Sequence, residues 1–489
     1  MPATVIPAGR KTAWKKDHPS TDHDIVDLWT EFTNNTGIHG VNKLRPGHYR
    51  VRCATWAVAV LVMSAYMSYS VTKELMNYYR YPVITNTKVE VLEELPFPAV
   101  TFCNMSPFNL SKLRAADPYL EKFFTKQSHT GSLPMPINWT DPGYGGSAFQ
   151  DSQSRDWWRN LSMNPEEMFY MCQMDGVQYV SCALSMKPIY TGSGFCATFN
   201  WNASDVAKVR VTGSNTNLVM YARIDQGNYV LIRELAAGLK VTLHDPRIHP
   251  DLVASSFLAA PGTSTHAVVQ RSTYQYLPPP YQAFKNRTCV DTSSPSFNNT
   301  LKYFDIYTYE NCLRECFALI AYRQCQCVSL GDDETMGKVC SIRDHVTCFT
   351  PIIVQSMMNA TIHKSCGCQL PCSFEKYTVK VSSASYPSDV SVDMIMNETM
   401  SPDKEYVRSN YLEIKVFYED LIVQSTVQTP QYTIETIIGN LGGQMGICLG
   451  ASILTLTELA EFLIILGLTI FAKLRDRRQN VKRIHPTSP

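Results

Sequence analysis

The chain has 489 residues, 45% of them hydrophobic and 18% charged, which is enough apolar material for a large core. Its formal net charge of +1 excludes a strongly basic chain overall and argues for no nucleic-acid partner. Sixteen cysteines point to an oxidising compartment unless they bind metal.

Lys11, Lys15 and Lys16 precede no apolar core, so no cleavable signal is read and membrane insertion is expected through an internal helix. Gly37-Ile38-His39-Gly40-Val41 is the one small-residue cluster with a histidine near the N-terminus, and by itself it reads as a surface turn. From Cys53 to Val71 the chain is uncharged and long enough to span a bilayer. Arg45, Arg50 and Arg52 flank its start, and Lys473, Arg475, Arg477, Arg478, Lys482 and Arg483 follow a second apolar run. Positive-inside bias then places both termini in the cytoplasm of a multi-pass plasma-membrane protein.

Tyr81-Pro82-Val83-Ile84-Thr85 leads to Phe97-Pro98-Ala99-Val100-Thr101-Phe102-Cys103-Asn104, an apolar alternation that reads as a strand. Cys53 and Cys448 lie in the two apolar runs, and the remaining cysteines lie between Cys103 and Cys372, an even number that suits disulfides. Asn104, Asn109, Asn138, Asn160, Asn202, Asn286, Asn298, Asn359 and Asn397 begin glycosylation sequons in this same region, which is therefore expected outside the cell. Asn34 also heads a sequon but falls on the other side of the first span.

Asn164-Pro165-Glu166-Glu167 reads as a capped helix start, and polar, glycine-rich Gly143 to Ser154 as a mobile loop. Lys208 to Val211, Val219 to Ala222 and Tyr229 to Ile232 are strand candidates, as is Leu412 to Tyr418. Tyr276-Leu277-Pro278-Pro279-Pro280-Tyr281 reads as a stiff connection. Cys312, Cys316, Cys325, Cys327, Cys340, Cys348, Cys366, Cys368 and Cys372 show mirror-image spacing, which suits two antiparallel helices joined rung by rung. Structural zinc is the competing reading, disfavoured because such sites belong to reducing compartments. No Ser/His/Asp, metal or phosphate-loop constellation marks an enzyme, and no cofactor is expected.

The run from Ile437 to Thr457 carries no charge, yet it contains Gly442-Gly443-Gln444-Met445-Gly446-Ile447-Cys448-Leu449-Gly450-Ala451-Ser452. A simple anchor has no use for these residues, whereas a glycine-interrupted helix is tolerated where it lines a water-filled path. Gly442, Gly446 and Gly450 also fit a helix-packing face of small residues. Glu458 and Glu461 follow at i, i+3 inside an apolar run that continues from Phe462 to Ala472. An intramembrane carboxylate costs about 2.5 kcal/mol or more unless its face is wet, so these two favour a pore and would concentrate cations.

The glycine-rich run, with Gly450-Ala451-Ser452 and Ile453-Leu454-Thr455, resembles the second membrane helix of the epithelial sodium channel/degenerin superfamily. The His39-Gly40 pair, the Phe97 to Asn104 stretch and the cysteine ladder extend the resemblance from His39 to Glu461. It implies an α+β membrane protein with two transmembrane helices per subunit and a large disulfide-rich extracellular domain of palm, thumb, finger, knuckle and β-ball type, assembled as a homotrimer. It implies a cytoplasmic segment 1–52 with a re-entrant loop at His39 and Gly40, a first span at 53–75, an extracellular domain at 76–430, a second span at 431–472 and a basic tail at 473–489.

Gly450, Ala451 and Ser452 would be the sodium-selective belt. Gly439, Asn440, Gly443 and Gly446 would form the gate and amiloride-blocker region above it. The implied disulfides are Cys103–Cys196, Cys172–Cys182, Cys289–Cys372, Cys312–Cys368, Cys316–Cys366, Cys325–Cys348 and Cys327–Cys340. Tyr81 and Tyr281 would couple the domain to the first helix, Tyr281 standing where the family normally has tryptophan.

Proton-gated members carry histidine after the first tyrosine, where this chain has Pro82 and Val83, so acid sensing is not expected. Thr72-Lys73-Glu74-Leu75 through Tyr81-Pro82 resembles the invertebrate FMRFamide-gated channels, which implies an amidated neuropeptide ligand. Its arginine needs a carboxylate and its rings an aromatic cleft, which Asp175 with Phe108, Phe123, Phe124, Trp157, Trp158 and Phe169 would supply. The other stimuli open to such a channel are protons, mechanical load and constitutive leak. The reading from another class is a two-span, disulfide-rich receptor without a pore.

Overall fold

A computed structural model describes residues 25–44, 49–126, 137–179, 182–230, 235–285 and 287–484; Lys11, Lys15, Lys16, Arg45 and Asn286 lie outside them. The chain divides into two compact units, one formed by Met1–Pro82 with Pro430–Pro489 and the other by Val83–Thr429.

In the first unit, helices Arg50–Tyr78 and Ile453–Arg475 are long and apolar enough to cross a membrane. The first contains neither glycine nor proline. Its hydroxyls donate back to the preceding turn, Ser68 Oγ to Ser64 O at 2.8 Å and Thr72 Oγ1 to Ser68 O at 2.7 Å, so they remain satisfied in an apolar setting. The second span is not one helix. An outer half-helix, Ile434–Leu449, ends at Gly450, and an inner one begins at Ile453. An amphipathic helix, Ile25–Asn35, and a short turn at Val41–Lys43 are the other helical elements of the unit among the described residues.

The second unit is built on strands β1 (Val83–Val91), β2 (Leu95–Pro96), β3 (Ala99–Asn104), β4 (Phe169–Met174), β5 (Val177–Gln178), β6 (Met186–Thr191) and β7 (Gly194–Phe199). These are followed by β8 (Lys208–Val209), β9 (Leu218–Arg223), β10 (Leu239–His244), β11 (Ser256–Ala259), β12 (Thr263–Gln275), β13 (Ser373–Ser385) and β14 (Tyr411–Pro430). Among the described residues they form a sheet of order β13-β12-β14-β9-β4-β5, with β1 on β14, a second of order β11-β10-β3-β7-β6, and a separate antiparallel pair of β2 with β8. The β12–β14 pairing is parallel, with Thr265 opposite Ile414, and its neighbours are antiparallel. Every residue of β3 is buried, as expected for a strand flanked on both sides. Phe97, Phe102, Met220, Leu412 and Tyr418 belong to the core between the sheets. Tyr229 and Val230 form no strand, and the rest of that candidate lies outside the described residues.

The fourteen cysteines pair as Cys103–Cys196, Cys172–Cys182, Cys289–Cys372, Cys312–Cys368, Cys316–Cys366, Cys325–Cys348 and Cys327–Cys340. Three of these bonds join helix Tyr309–Cys325 to the arm that returns through Thr350–Met358 and Ala360–Ser365. Cys53 and Cys448 are free thiols.

Three expectations are corrected here. Gly143 to Ser154 is a packed segment: Pro142–Gly145 and Ser147–Gln150 are helical turns, and they bury Tyr144 and Phe149 because aromatic area outweighs the loop's polar composition. Asn104 is 2% exposed, its amide donating to Ile224 O at 3.2 Å and to the Met168 sulfur. Asn109 is 7% exposed and caps helix Leu110–Ala116 by accepting from Lys112 N. A glycan on either amide would have to occupy core space, so both leave the set of glycosylation sites. Asn138, Asn160, Asn202, Asn298, Asn359 and Asn397 are exposed. Asn104→Gln and Asn109→Gln are accordingly expected to leave the glycosylated protein's electrophoretic mobility unchanged; a step down equal to one glycan would place that asparagine at the surface.

Candidate functional site

The outer half-helix stops because Gly450 takes φ +60, a left-handed conformation that costs other residues about 1 kcal/mol or more. Gly450 N donates to Gly446 O at 2.9 Å and Ala451 N to Met445 O at 3.2 Å, which closes the last turn. The inner half-helix restarts on a reciprocal cap: Ser452 N donates to Thr455 Oγ1 at 2.7 Å, and Thr455 N to Ser452 Oγ at 3.4 Å. Between the two halves, among the described residues, no hydrogen bond takes the carbonyls of Gly450 or Ala451. Free carbonyls beside a hydroxyl, with no charged side chain, are the donor set for a partly dehydrated cation that must also leave.

The segment before the first span closes on this break. His39 N donates to Leu449 O at 2.8 Å, satisfying a carbonyl that the helix end leaves open. The imidazole fills the space where a side chain on Gly450 would be: a Cβ there would stand 2.3 Å from His39 Nδ1. Gly40, at φ +85, packs so closely that a Cβ would meet Val60 and Trp56 at 3.0 and 3.1 Å. Gly37 N donates to Glu458 Oε2 at 3.2 Å. Helix Ile25–Asn35 is tied to the inner half-helix by Phe32 stacked on Phe462 at 4.4 Å and Trp29 edge-on to it at 6.1 Å. Sequence reasoning had named His39, Gly40 and the belt but missed Gly37, Trp29, Phe32, Thr455 and Phe462. The Ser452-x-x-Thr455 spacing was the available signal for one of them.

Above the break, Gly439, Gly442, Gly443 and Gly446 face open space, with nothing within 4 Å of an added Cβ, and Asn440 is exposed. Within one chain these glycines therefore do not serve as a packing face. Glu461 is exposed on the inner half-helix, whereas Glu458 is half-buried against the loop. Tyr81, three residues past the end of helix Arg50–Tyr78, takes φ +50, and Tyr281 closes a turn on Pro278 in the other unit.

The aromatic cleft does not assemble. Phe108, Phe123, Phe124 and Trp158 are 9, 2, 5 and 5% exposed and fill a hydrophobic core of their own with Phe149 and Leu120. Phe169 belongs to the core between the sheets, edge-on to Phe102 at 5.2 Å. The physical reason is economy of area: rings of this size bury themselves unless something else covers them. Trp157 is half-buried, and Asp175 is exposed at the β4–β5 turn with φ +51. Burial lifts the Asp175 carboxyl above its usual range, and the Asn217 side chain opposes that by hydrogen bonding.

Helices Tyr309–Cys325 and Arg155–Leu161 both send an arginine to one charged centre. Arg314, on helix Tyr309–Cys325, contacts His249 Nδ1 at 2.9 Å, donates to Gly331 O and lies 4.0 Å from Asp332. Arg155, on helix Arg155–Leu161, donates to Asp332 O at 2.7 Å and to Leu330 O. Burial first, and Arg314 second, hold His249 down to about 3, and burial raises the Asp332 carboxyl.

Among the described residues no group of His, Cys, Asp and Glu could hold a metal ion. The family model described as amiloride-sensitive sodium channel matches residues 32–462. Acid-sensing ion channel 4-B of Danio rerio is 28% identical over 452 residues, covering 90% of this chain and 76% of that protein. Acid-sensing ion channel 1C of the same organism is 25% identical, covering 88% and 82%, and the bile acid-sensitive ion channel of Homo sapiens is 25% identical, covering 90% and 85%. With its helix break, its two spans and a match over most of its length, the chain belongs to the amiloride-sensitive sodium channel family: an ion channel with sodium as its permeant ion, and not an enzyme.

Proposed function

We propose that three copies of this chain surround one pore, with Gly450, Ala451 and Ser452 as its narrowest ring and Gly439, Asn440, Gly443 and Gly446 lining the amiloride-sensitive stretch above. Both termini are cytoplasmic, and the extracellular unit opens the pore on binding an amidated Arg-Phe peptide. The helix break at Gly450, its carbonyls free and its floor built by His39, carries the pore reading. A receptor without a pore would have no use for it. Glycines with open space around them suit a face turned toward a pore or a neighbouring copy.

Peptide gating is supported by the resemblance of Thr72 to Pro82 to peptide-gated channels, and by Pro82 and Val83 where proton-gated members have histidine. Two relatives are named for acid sensing and one for bile acid, so those stimuli are the controls. In oocytes expressing the chain alone, FMRFamide-type peptides are expected to evoke an amiloride-blocked sodium current. A step from pH 7.4 to 5, or bile acid, should evoke none. A large transient current at pH 5 without peptide would replace peptide gating by proton gating and leave the pore reading intact.

Asp175 and Trp157 are the members of the sequence-derived set that solvent reaches, and Asp175 is proposed as the partner of the ligand arginine. Asp175→Asn should then lower peptide potency by about tenfold or more, as for a charge-assisted hydrogen bond. A peptide with citrulline for arginine should lose potency on the wild type but not further on the variant. Equal losses on both would assign the arginine to another residue.

A further inference from the structure

We propose that Glu458 is a positioning residue that holds the Gly37 to Gly40 loop beneath the filter by accepting the Gly37 N–H, and is not a charge offered to the passing ion. This deepens the pore reading and rests on it. Thr455, Glu458 and Phe462 stand at i, i+3 and i+7 of the inner half-helix, one stripe of its surface. Each member of the stripe touches the same N-terminal segment. The Thr455 methyl lies 2.9 Å from the Cβ position of Gly37, Glu458 Oε2 accepts from Gly37 N at 3.2 Å, and Phe462 stacks on Phe32 at 4.4 Å.

Glu461 stands outside that stripe and is exposed, so the two carboxylates that look equivalent in sequence have separate work. Glu461 is left as the cation-attracting group. Glu458 fixes the loop two residues before His39, whose N–H and imidazole complete the filter from below. A residue at position 37 with a larger side chain would collide with Thr455, which explains glycine there without any need for a left-handed φ.

Because the role is to accept a hydrogen bond, glutamine should substitute for Glu458 and alanine should not; for a charge offered to cations, glutamine and alanine should fail alike. The test uses the full-length channel with Cys53→Ser and Cys448→Ser, carrying Gly37→Cys and Thr455→Cys. In isolated membranes it is oxidised with copper phenanthroline, and bond formation is read as protection from maleimide labelling. Removal of the Thr455 hydroxyl is common to every arm.

The parent pair is expected to cross-link readily. Glu458→Gln should keep the rate within about twofold, and Glu458→Ala should slow it by roughly tenfold, the worth of one hydrogen bond to a carboxylate. Equal slowing by glutamine and alanine would make charge the operative property and overturn the proposal. No slowing by alanine would do the same, as would failure of the parent to cross-link. This readout needs no current, so it fails or succeeds independently of conductance measurements on Gly450 variants, which test the pore reading itself.

Discussion

If Gly450 stands in the narrowest ring, as proposed, Gly450→Val is expected to abolish sodium current, by roughly a hundredfold or more, while the protein still reaches the surface, because bulk there would block passage. Two independent features converge on this position. The backbone sits at φ +60, which a β-branched residue resists, and the first side-chain atom would stand 2.3 Å from His39 Nδ1. The backbone at position 450 therefore cannot accept the change by a small shift. Gly439 makes the contrast. Nothing lies within 4 Å of its Cβ position, so one chain accommodates a bulky residue there, and any effect must arise in the pore or between copies. Valine at Gly439 is expected to hold the pore open, read as a standing amiloride-blocked current. Unchanged conductance and selectivity in both variants, by single-channel recording, would locate the filter elsewhere.

Arg314→Met is expected to destabilise the extracellular unit by about 3 to 5 kcal/mol, the usual cost of breaking a buried ion pair on one side. The substitution keeps most of the stem's volume, but it leaves the Asp332 carboxylate, 10% exposed, without its nearest guanidinium and removes the partner of His249. Thermal unfolding of the detergent-solubilised channel measures the loss. Asp332→Asn added to Arg314→Met should restore part of it, and equal midpoints for the single and double variants would assign the damage to packing instead. The same centre sets a pH dependence. His249 is held neutral down to about 3, whereas an unfolded histidine takes its proton near 6.5. A base whose folded pKa is lowered stabilises above the unfolded value, and that contribution is lost as pH falls from about 6.5 toward 3. At pH 5 the loss amounts to about 2 kcal/mol from this group. Acid is thus expected to loosen the unit, with a lower unfolding midpoint at pH 5 than at pH 7.5.

The parts of this molecule that could be read from sequence are those where residue type dictates backbone. Glycines at Gly450 and Gly40, the uncharged spans and the cysteine spacing each constrain geometry directly. The segment from Phe108 to Trp158 could not be read in this way, because Phe108, Phe123, Phe124 and Trp158 have the same composition whether they line a cleft or fill a core. The choice depends on what covers them, which here is the helical turns around Tyr144 and Phe149. Asn104 and Asn109 are the same lesson in polar form, since the sequon is a three-residue pattern and burial is decided by partners far along the chain. Glu458 and Glu461 look interchangeable until the loop from the N-terminus is placed against one of them.

That placement has a consequence for biosynthesis. Gly37 and Glu458 are 421 positions apart, and His39 meets Leu449 across a similar distance. A ribosome delivers the loop first and the half-helices it contacts last, with the whole extracellular unit made in between. Contacts of such sequence separation form late, because the loop they close must be ordered before they reward it. Nascent chains that stop short of the half-helices have Val60 and Trp56 for Gly40 to pack on but lack the partners of Phe32, Gly37 and His39, so those three contacts report that synthesis has run through Phe462.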